Sequence, residues 1–399
     1  MSDNQTEAEI DRRTALGLLM AVSAGPALFS GAAAGAAENQ EVPQPGKFPE
    51  RPGNYLAGEL VTIDAINRRG GLRLDGDFVD DRYDKAQPHD FAMLPYGMIY
   101  YHGAPAELRD IPLGTHLHGS FYLPPQGEEA TIPPTKGPPQ YGSKFNHAIL
   151  LEDDFSFYSR RGQAWKIVSI DKKAITGRAD GYPHYSPGRM KVVAVGKQAE
   201  NGLSGEHTLW IKDSARVWKN RMVLDWDALA VDQVVQLNLT WCPEWGNKEF
   251  GVLDVWVDAE SQAAATEMQR RIHVQYQRTR WLPGWIDHVK HETGGRGIVT
   301  ITLFGGMDKS LYDEIKTRDR PLSVAAAEST LRTYWKDHDA MGGGIVDIKL
   351  CENPPVGSSG IRIRWQAGAL LDGFRPGRIV RLNKDGWPKS KNPPEERLR

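Results

Sequence analysis

Three segments of this chain end in the same way, and that recurrence constrains the fold more than any other feature. Ile111-Pro-Leu-Gly114 leads into Thr-His-Leu-His, Leu229-Ala-Val-Asp232 into Gln-Val-Val-Gln, and Phe374-Arg-Pro-Gly377 into Arg-Ile-Val-Arg. Each is an apolar residue, a Gly or Asp three positions on, and then a strand pattern. Another strand pattern precedes each one, at Met98–Tyr101, Ser214–Trp218 and Ile361–Trp365. Alternating Val, Ile, Leu, Tyr and Trp predict further strands at Glu59–Ile63, Gly71–Leu74, Trp165–Ile170, Lys191–Val195, Thr208–Lys212, Val234–Leu239 and Ile298–Leu303. Short strands at this spacing favour small sandwiches or barrels. Aligning the copies puts Leu117, Val235 and Val380 on the core face. His116 then falls with Val234 and Ile379, and His118 with Gln236 and Arg381, on a face that varies between copies.

Two helical segments interrupt the strands. Asp258 is placed to cap a helix running to about Arg280, with Ala264, Met268, Ile272 and Tyr276 recurring on one face before Pro283 stops it. Ser323 is placed to cap a second helix through about Asp337.

The repeated strand, apolar residue and Gly- or Asp-containing turn resemble the small OB-like β-barrels that recur in exported bacterial proteins of unknown function. The resemblance covers about half the chain and is closest from Trp165 through Trp241; the third copy departs from it through helical material between Gly306 and His338. It implies a mainly β chain of three tandem OB-like barrels with inserted helices and a long interdomain helix. The corresponding division is barrels at 55–125, 163–257 and 283–388, a Pro/Gly-rich insertion with an acidic loop at 126–162, the long helix at 258–282, and a tail at 389–399.

Ahead of the barrels, Arg12-Arg13, the apolar stretch Ala15 to Phe29 and the small residues Gly31 to Ala37 resemble a twin-arginine (Tat) export signal at 1–37. Ala15 stands where such signals usually carry a large apolar residue, so the ordinary secretory route is also open. Gly17, Gly25 and Pro26 break a core that is short of the roughly 20 residues a spanning helix needs, which favours cleavage and no stable membrane span. A Pro- and Gly-rich stretch at 38–54 is expected to be a flexible linker. The expected location is the periplasm or another extracytoplasmic compartment.

Lysine plus arginine total 49 against 51 acids, a net charge of −2, which supplies no field to gather nucleic acid. Two cysteines, Cys242 and Cys351, exclude a disulfide-rich scaffold and a four-cysteine zinc site; one bridge and two separate thiols both remain open.

The sharpest chemical signal is His116-Leu117-His118. Residues two apart on a strand point to one face, so both imidazoles are placed to approach one Cu or Zn ion, with His102 on the preceding strand and Glu152 as further candidate ligands. His-x-His-Gly resembles part of a multicopper oxidase, but those enzymes need several such pairs and a Cys between histidines, which this chain lacks. The competing readings have the pair hydrogen-bonded at a domain interface or simply exposed on the barrel surface. A second cluster, His147 with Glu152-Asp153-Asp154, fits no calcium loop and reads as turn and strand-end chemistry, although the Pro/Gly-rich run from Pro124 to Lys144 beside it suits a lid. Trp241, Trp245, Trp256, Trp281 and Trp285 suit an interdomain contact better than a ligand face, and Arg270, Arg271, Arg278 and Arg280 suit a solvated helix face better than an anion site. No Gly-x-Ser-x-Gly elbow, phosphate loop, dinucleotide glycine pattern, His-Glu-x-x-His or Cys-x-x-Cys occurs. The expectation is a non-enzymatic binding or structural protein of the bacterial envelope, with an envelope protein, glycan or small molecule as partner and no nucleic acid. The alternative is a metal-dependent enzyme or metal-binding protein built on the His-x-His pair.

Overall fold

The strand patterns close into three barrels, each holding the inward residues of its own strands. The computed structural model describes residues 54–65, 67–75, 88–122, 146–179, 182–242, 249–317, 321–326, 340–355 and 357–387. The expected export signal, the expected linker up to residue 53, the Pro124–Lys144 run, Trp245 and the expected C-terminal tail lie outside these residues.

In the first barrel, β1 (Asn54–Asp64), β2 (Arg69–Leu74), β3 (His89–Tyr101), β5 (His116–Tyr122) and β6 (Asn146–Asp153) close in the order β1-β2-β3-β6-β5, and a short β4 (Ala104–Ala106) folds back on β3. All pairs are antiparallel except β3 with β6. One parallel pair closing a five-stranded antiparallel set is the OB-like order. The helix α1 (Asp154–Arg161) follows β6 directly. The second barrel repeats the plan with β7 (Gln163–Asp171), β10 (Gly188–Gly196), β11 (Glu206–Lys219), β13 (Val234–Trp241) and β14 (Phe250–Trp256), again with one parallel pair, β11 and β14. Its β12 (Met222–Leu224) matches β4, and a separate hairpin of β8 (Ile175–Ala179) and β9 (Tyr182–Ser186) is inserted after β7.

A 22-residue helix, α2 (Ala259–Arg280), leads to the third barrel, with Asp258 capping it as expected by accepting from the Ser261 N–H. The third barrel comprises β15 (Leu282–His291), β16 (Gly297–Phe304), β17 (Leu322–Ala326), β18 (Ala340–Leu350), β19 (Ser358–Ala367) and β20 (Ile379–Lys384), with α3 (Lys309–Lys316) between β16 and β17. These six strands pair antiparallel throughout. The third copy therefore departs from the OB-like order by adding a strand instead of a parallel closure.

What all three barrels share is one corner. Ile111, Leu229 and Phe374 are buried, and Gly114, Asp232 and Gly377 three residues later have φ of 88°, 70° and 80°. That left-handed turn lets each N–H reach back to a carbonyl of the barrel's first strand: Gly114 to Leu60 at 2.8 Å, Asp232 to Ile167 at 2.9 Å and Gly377 to Ile286 at 2.8 Å. The Gly-or-Asp rule follows, because other side chains tolerate this conformation poorly. Leu117, Val235 and Val380, just beyond the turn, are each fully buried in their barrel cores.

Four expectations change. The first barrel does not end near 125: β6 completes it, so the expected acidic loop is the end of a strand and the start of α1, because Asp153 caps that helix through the Ser156 N–H. Ser323 lies in β17, paired with Gly342 and Asn383, and caps no helix there; most of the segment to Asp337 falls outside the described residues. The middle of the stripe expected on one face of α2 is turned to solvent, with Met268 66% and Ile272 47% exposed, while Ala264 and Tyr276 are half-buried. The buried stripe is polar: Gln269 donates to Pro105 O at 3.4 Å, His273 to Gly306 O at 3.1 Å and Gln277 to Gly306 O at 3.4 Å. The surface beneath is β4, the His102 turn before it and the Gly306 turn, and their carbonyls accept these donors and the Thr266 hydroxyl. No described helix is long and apolar enough to cross a membrane.

Candidate functional site

The His-x-His strand does bring two imidazoles to one face. In β5 the Leu117 side chain enters the first barrel, so His116 and His118 project outward, against the second barrel and α1, and both are 1% exposed. Phe157 of α1 stacks on His118 at 3.7 Å between ring centroids, with the Arg161 guanidinium over the Phe157 ring, and Phe250 of β14 meets His116 edge-on.

The group between the imidazoles is Asp154. Its Oδ1 lies 2.9 Å from His116 Nδ1 and 2.9 Å from His118 Nε2, while its Oδ2 accepts the Leu239 N–H of β13 at 2.9 Å. The far nitrogens are also matched: His116 Nε2 lies 3.0 Å from Asp75 Oδ2, and His118 Nδ1 is 2.7 Å from the Tyr55 hydroxyl. Asp75 in turn accepts the indole N–H of Trp241 at 2.9 Å. The result is a continuous chain, Asp75–His116–Asp154–His118–Tyr55, that joins β1, β5 and the end of β2 to α1 and β13.

Charge follows from these neighbours. Burial alone opposes a charged imidazole, but the flanking carboxylates of Asp75 and Asp154 overcome it and hold His116 protonated well above the usual histidine range. His118 goes the other way: burial outweighs its one carboxylate and favours the neutral ring. A neutral His118 then donates from Nε2 to Asp154 and accepts from Tyr55 at Nδ1. Burial opposes ionisation of Asp154, yet the two imidazoles hold its carboxyl far below the ordinary range.

Of the four sequence candidates for a metal, the structure brings together only two. His102 sits in the turn between β3 and β4 with φ 51°, stacked on Tyr101 and edge-on to Trp256, and its N–H donates to Asp153 at 3.0 Å. Glu152 lies directly opposite His118 in the β5–β6 pairing, on the same outward face, but its carboxylate is taken by Arg160 and Arg161. The ligand-type atoms that do converge are those of His116, His118 and Asp154, all within 4.8 Å of one another. The sequence marks Asp154 only as one of three clustered acids; Glu152 has the right parity but is held by two arginines, and nothing local announces that a helix starts at Asp154. His147 lies in β6, its pKa lowered by burial, away from this group.

The donor set fits a metal in part. Each histidine has an outer partner on the opposite nitrogen, the arrangement that orients ring ligands around zinc. Against it, Asp154 Oδ1 stands at hydrogen-bonding distance between the rings, its other oxygen is taken by Leu239, and among the described residues no fourth side chain joins the three.

The remaining candidates are structural. Trp241, Trp256, Trp281 and Trp285 are all buried. Arg270 pairs with Asp308, Arg271 with Glu267 and Arg278 with Glu314, while Arg280 is buried. Cys242 and Cys351 are not bridged. The chain matches no protein-family model, no curated protein and no solved structure.

Proposed function

We propose that this is an exported, non-enzymatic binding or structural protein of the bacterial envelope, in which the histidine pair is a fastener between the first two barrels. One observation carries the reading: all four ring nitrogens of His116 and His118 have protein partners at 2.7–3.0 Å inside a surface that is 1% exposed. Such a group has no open position for a substrate and no spare donor for proton transfer to one. Export is supported by the Arg12-Arg13 pair and the small-residue sites that follow.

The test is metal content and stability of the full chain purified from a bacterial host. The fastener reading expects no stoichiometric metal and an unfolding transition unmoved by chelator. Near-stoichiometric Zn or Cu, with stability lost on its removal, overturns it in favour of the second reading, a metal site on His116, His118 and Asp154. That second reading is supported by the convergence of those three ligands and by the outer partners Asp75 and Tyr55. Residues 1–37 fused to a reporter that folds before export test the first clause; export unaffected by Arg12→Lys with Arg13→Lys overturns the twin-arginine route.

A further inference from the structure

The outward face of β3 is used in two different ways. Leu94 and Tyr96 are buried against Trp285 and Phe304 of the third barrel, forming a small apolar joint. Two and four residues beyond Tyr96 on the same face, Met98 and Tyr100 are only half-buried. They line a cleft of about 420 Å³ whose other residues come from the third barrel and α3: Gly305, Gly306, Met307, Lys309, Tyr312, Ser358, Ser359 and Ile361. The size suits a small molecule.

Two properties of the lining define the ligand chemistry. The first is shape and polarisability. Tyr100 and Tyr312 offer flat aromatic surface, Met98 and Met307 offer adaptable thioethers, and the Gly305-Gly306 turn leaves space that side chains would fill. A Cβ on Gly305 would stand 2.5 Å from the Met98 sulfur, so that turn holds glycine where the walls meet.

The second property is charge. No carboxylate lines the cleft, and Lys309 does. Among the described residues Lys309 makes no ion pair, and the hydroxyls of Tyr100 and Tyr312 make no hydrogen bond. The nearby acids are occupied: Asp308 is held by Arg270 and caps α3 through Ser310, and Glu152 is held by Arg160 and Arg161. Arg160, itself paired with Glu152, lies over the Tyr100 ring at 3.9 Å, and Lys316 lies over Tyr312 at 5.9 Å. One ammonium and two tyrosine hydroxyls around a flat apolar space, with no carboxylate in the lining, select an anion that has a planar body.

We propose that this cleft binds a small aromatic carboxylate, its ring against Tyr100 and Tyr312 and its carboxylate on Lys309. The proposal rests on the binding-protein reading above and names the site and ligand class for it. Titration of the full chain with 1-naphthoate, beside its neutral counterpart 1-naphthamide, tests it. The acid is expected to bind at least tenfold tighter than the amide, and Lys309→Met, which keeps the stem but removes the ammonium, is expected to abolish that preference. Lys349→Met, on an exposed lysine of β18, is expected to leave both affinities unchanged. Equal affinity for acid and amide, a preference that survives Lys309→Met, or no binding of the acid at millimolar concentration each overturns the cleft assignment. Metal analysis of the same preparation keeps the two readings apart. Stoichiometric metal overturns the fastener without touching the cleft, and loss of the cleft in a metal-free protein leaves the fastener standing.

Discussion

Replacing Asp154 by Asn removes one charge and exchanges one acceptor oxygen for a donor at a side chain that is 0% exposed. The carboxylate takes three hydrogen bonds, from His116, His118 and the Leu239 N–H, and the amide has only one oxygen. If that oxygen stays with the imidazoles, the NH₂ faces the Leu239 N–H, donor against donor. If the amide flips, the NH₂ faces a protonated His116. In the first case a buried backbone donor is orphaned, worth about 1–3 kcal/mol. In both, the imidazolium loses one of its two carboxylates and keeps only Asp75, whose side chain is 35% exposed. Removing one partner of a buried pair costs about 3–5 kcal/mol, which is the expected loss for Asp154→Asn. Urea unfolding followed by tryptophan fluorescence gives the total. Hydrogen exchange at the Leu239 amide gives the local part, with protection falling well beyond the global loss. The His116→Gln/Asp154→Asn double variant should be more stable than the sum of the singles by about 1–3 kcal/mol, since the singles each strand a partner. A cost under about 1 kcal/mol with the Leu239 amide still protected would refute the argument that this carboxylate is what joins the barrels.

Further outcomes follow from the same geometry. Because the folded pKa of His116 is raised, its contribution is fully present below the unfolded value of about 6.5 and is lost as pH rises through the folded value. The stability gap between wild type and His116→Gln, measured from about pH 5 upward, should therefore narrow above about 6.5; a gap that widens on that side contradicts a protonated His116. At the shared corner, Gly114→Ala forces a side chain to φ 88° and should cost about 1–2 kcal/mol, whereas Asp232→Gly relieves the same constraint and should not destabilise. Leu117→Ala should cost about 2–5 kcal/mol by emptying a core site, while Val234→Thr, 50% exposed in the aligned copy, should stay within about 0.5 kcal/mol in chemical denaturation. Met268→Gln should likewise change stability by less than about 0.5 kcal/mol; a core-sized loss would return that stripe to the interior.

The barrels were legible because their cores are made locally. Ile111, Leu229 and Phe374 and the turn residues behind them meet strands of their own copy, so one pattern recurs three times and alignment alone finds Leu117, Val235 and Val380. The surfaces between barrels were not legible, since what a side chain meets there belongs to another copy. Met268 and Ile272 form an apolar stripe of the kind that usually faces a core, yet α2 lies on β4 and the Gly306 turn, whose carbonyls select Gln269, His273 and Gln277. His116 and His118 were found by strand parity, and the hydrogen-bonded interface was one of the readings weighed for them. Their partner was not found, because Asp154 enters the group only through a helix that begins where an acidic loop was expected.

Two adjacent acids mark the passage from the first barrel to the second. Asp153 caps α1, receives the His102 N–H from the first barrel at 3.0 Å and receives the Asn238 amide from the second at 2.9 Å; Asp154 does the same for the histidine pair and Leu239. A single residue inserted between them would turn α1 by about 100° relative to β6 and break both sets of bonds at once. This seam therefore tolerates substitution on its flanks far better than a change of length. Over evolutionary time the first two barrels are expected to be gained, lost or shuffled together, as one inherited piece. Homologues should vary in loop lengths elsewhere while the count of residues from β5 through β7's first tryptophan, apart from the long segment after β5, stays fixed.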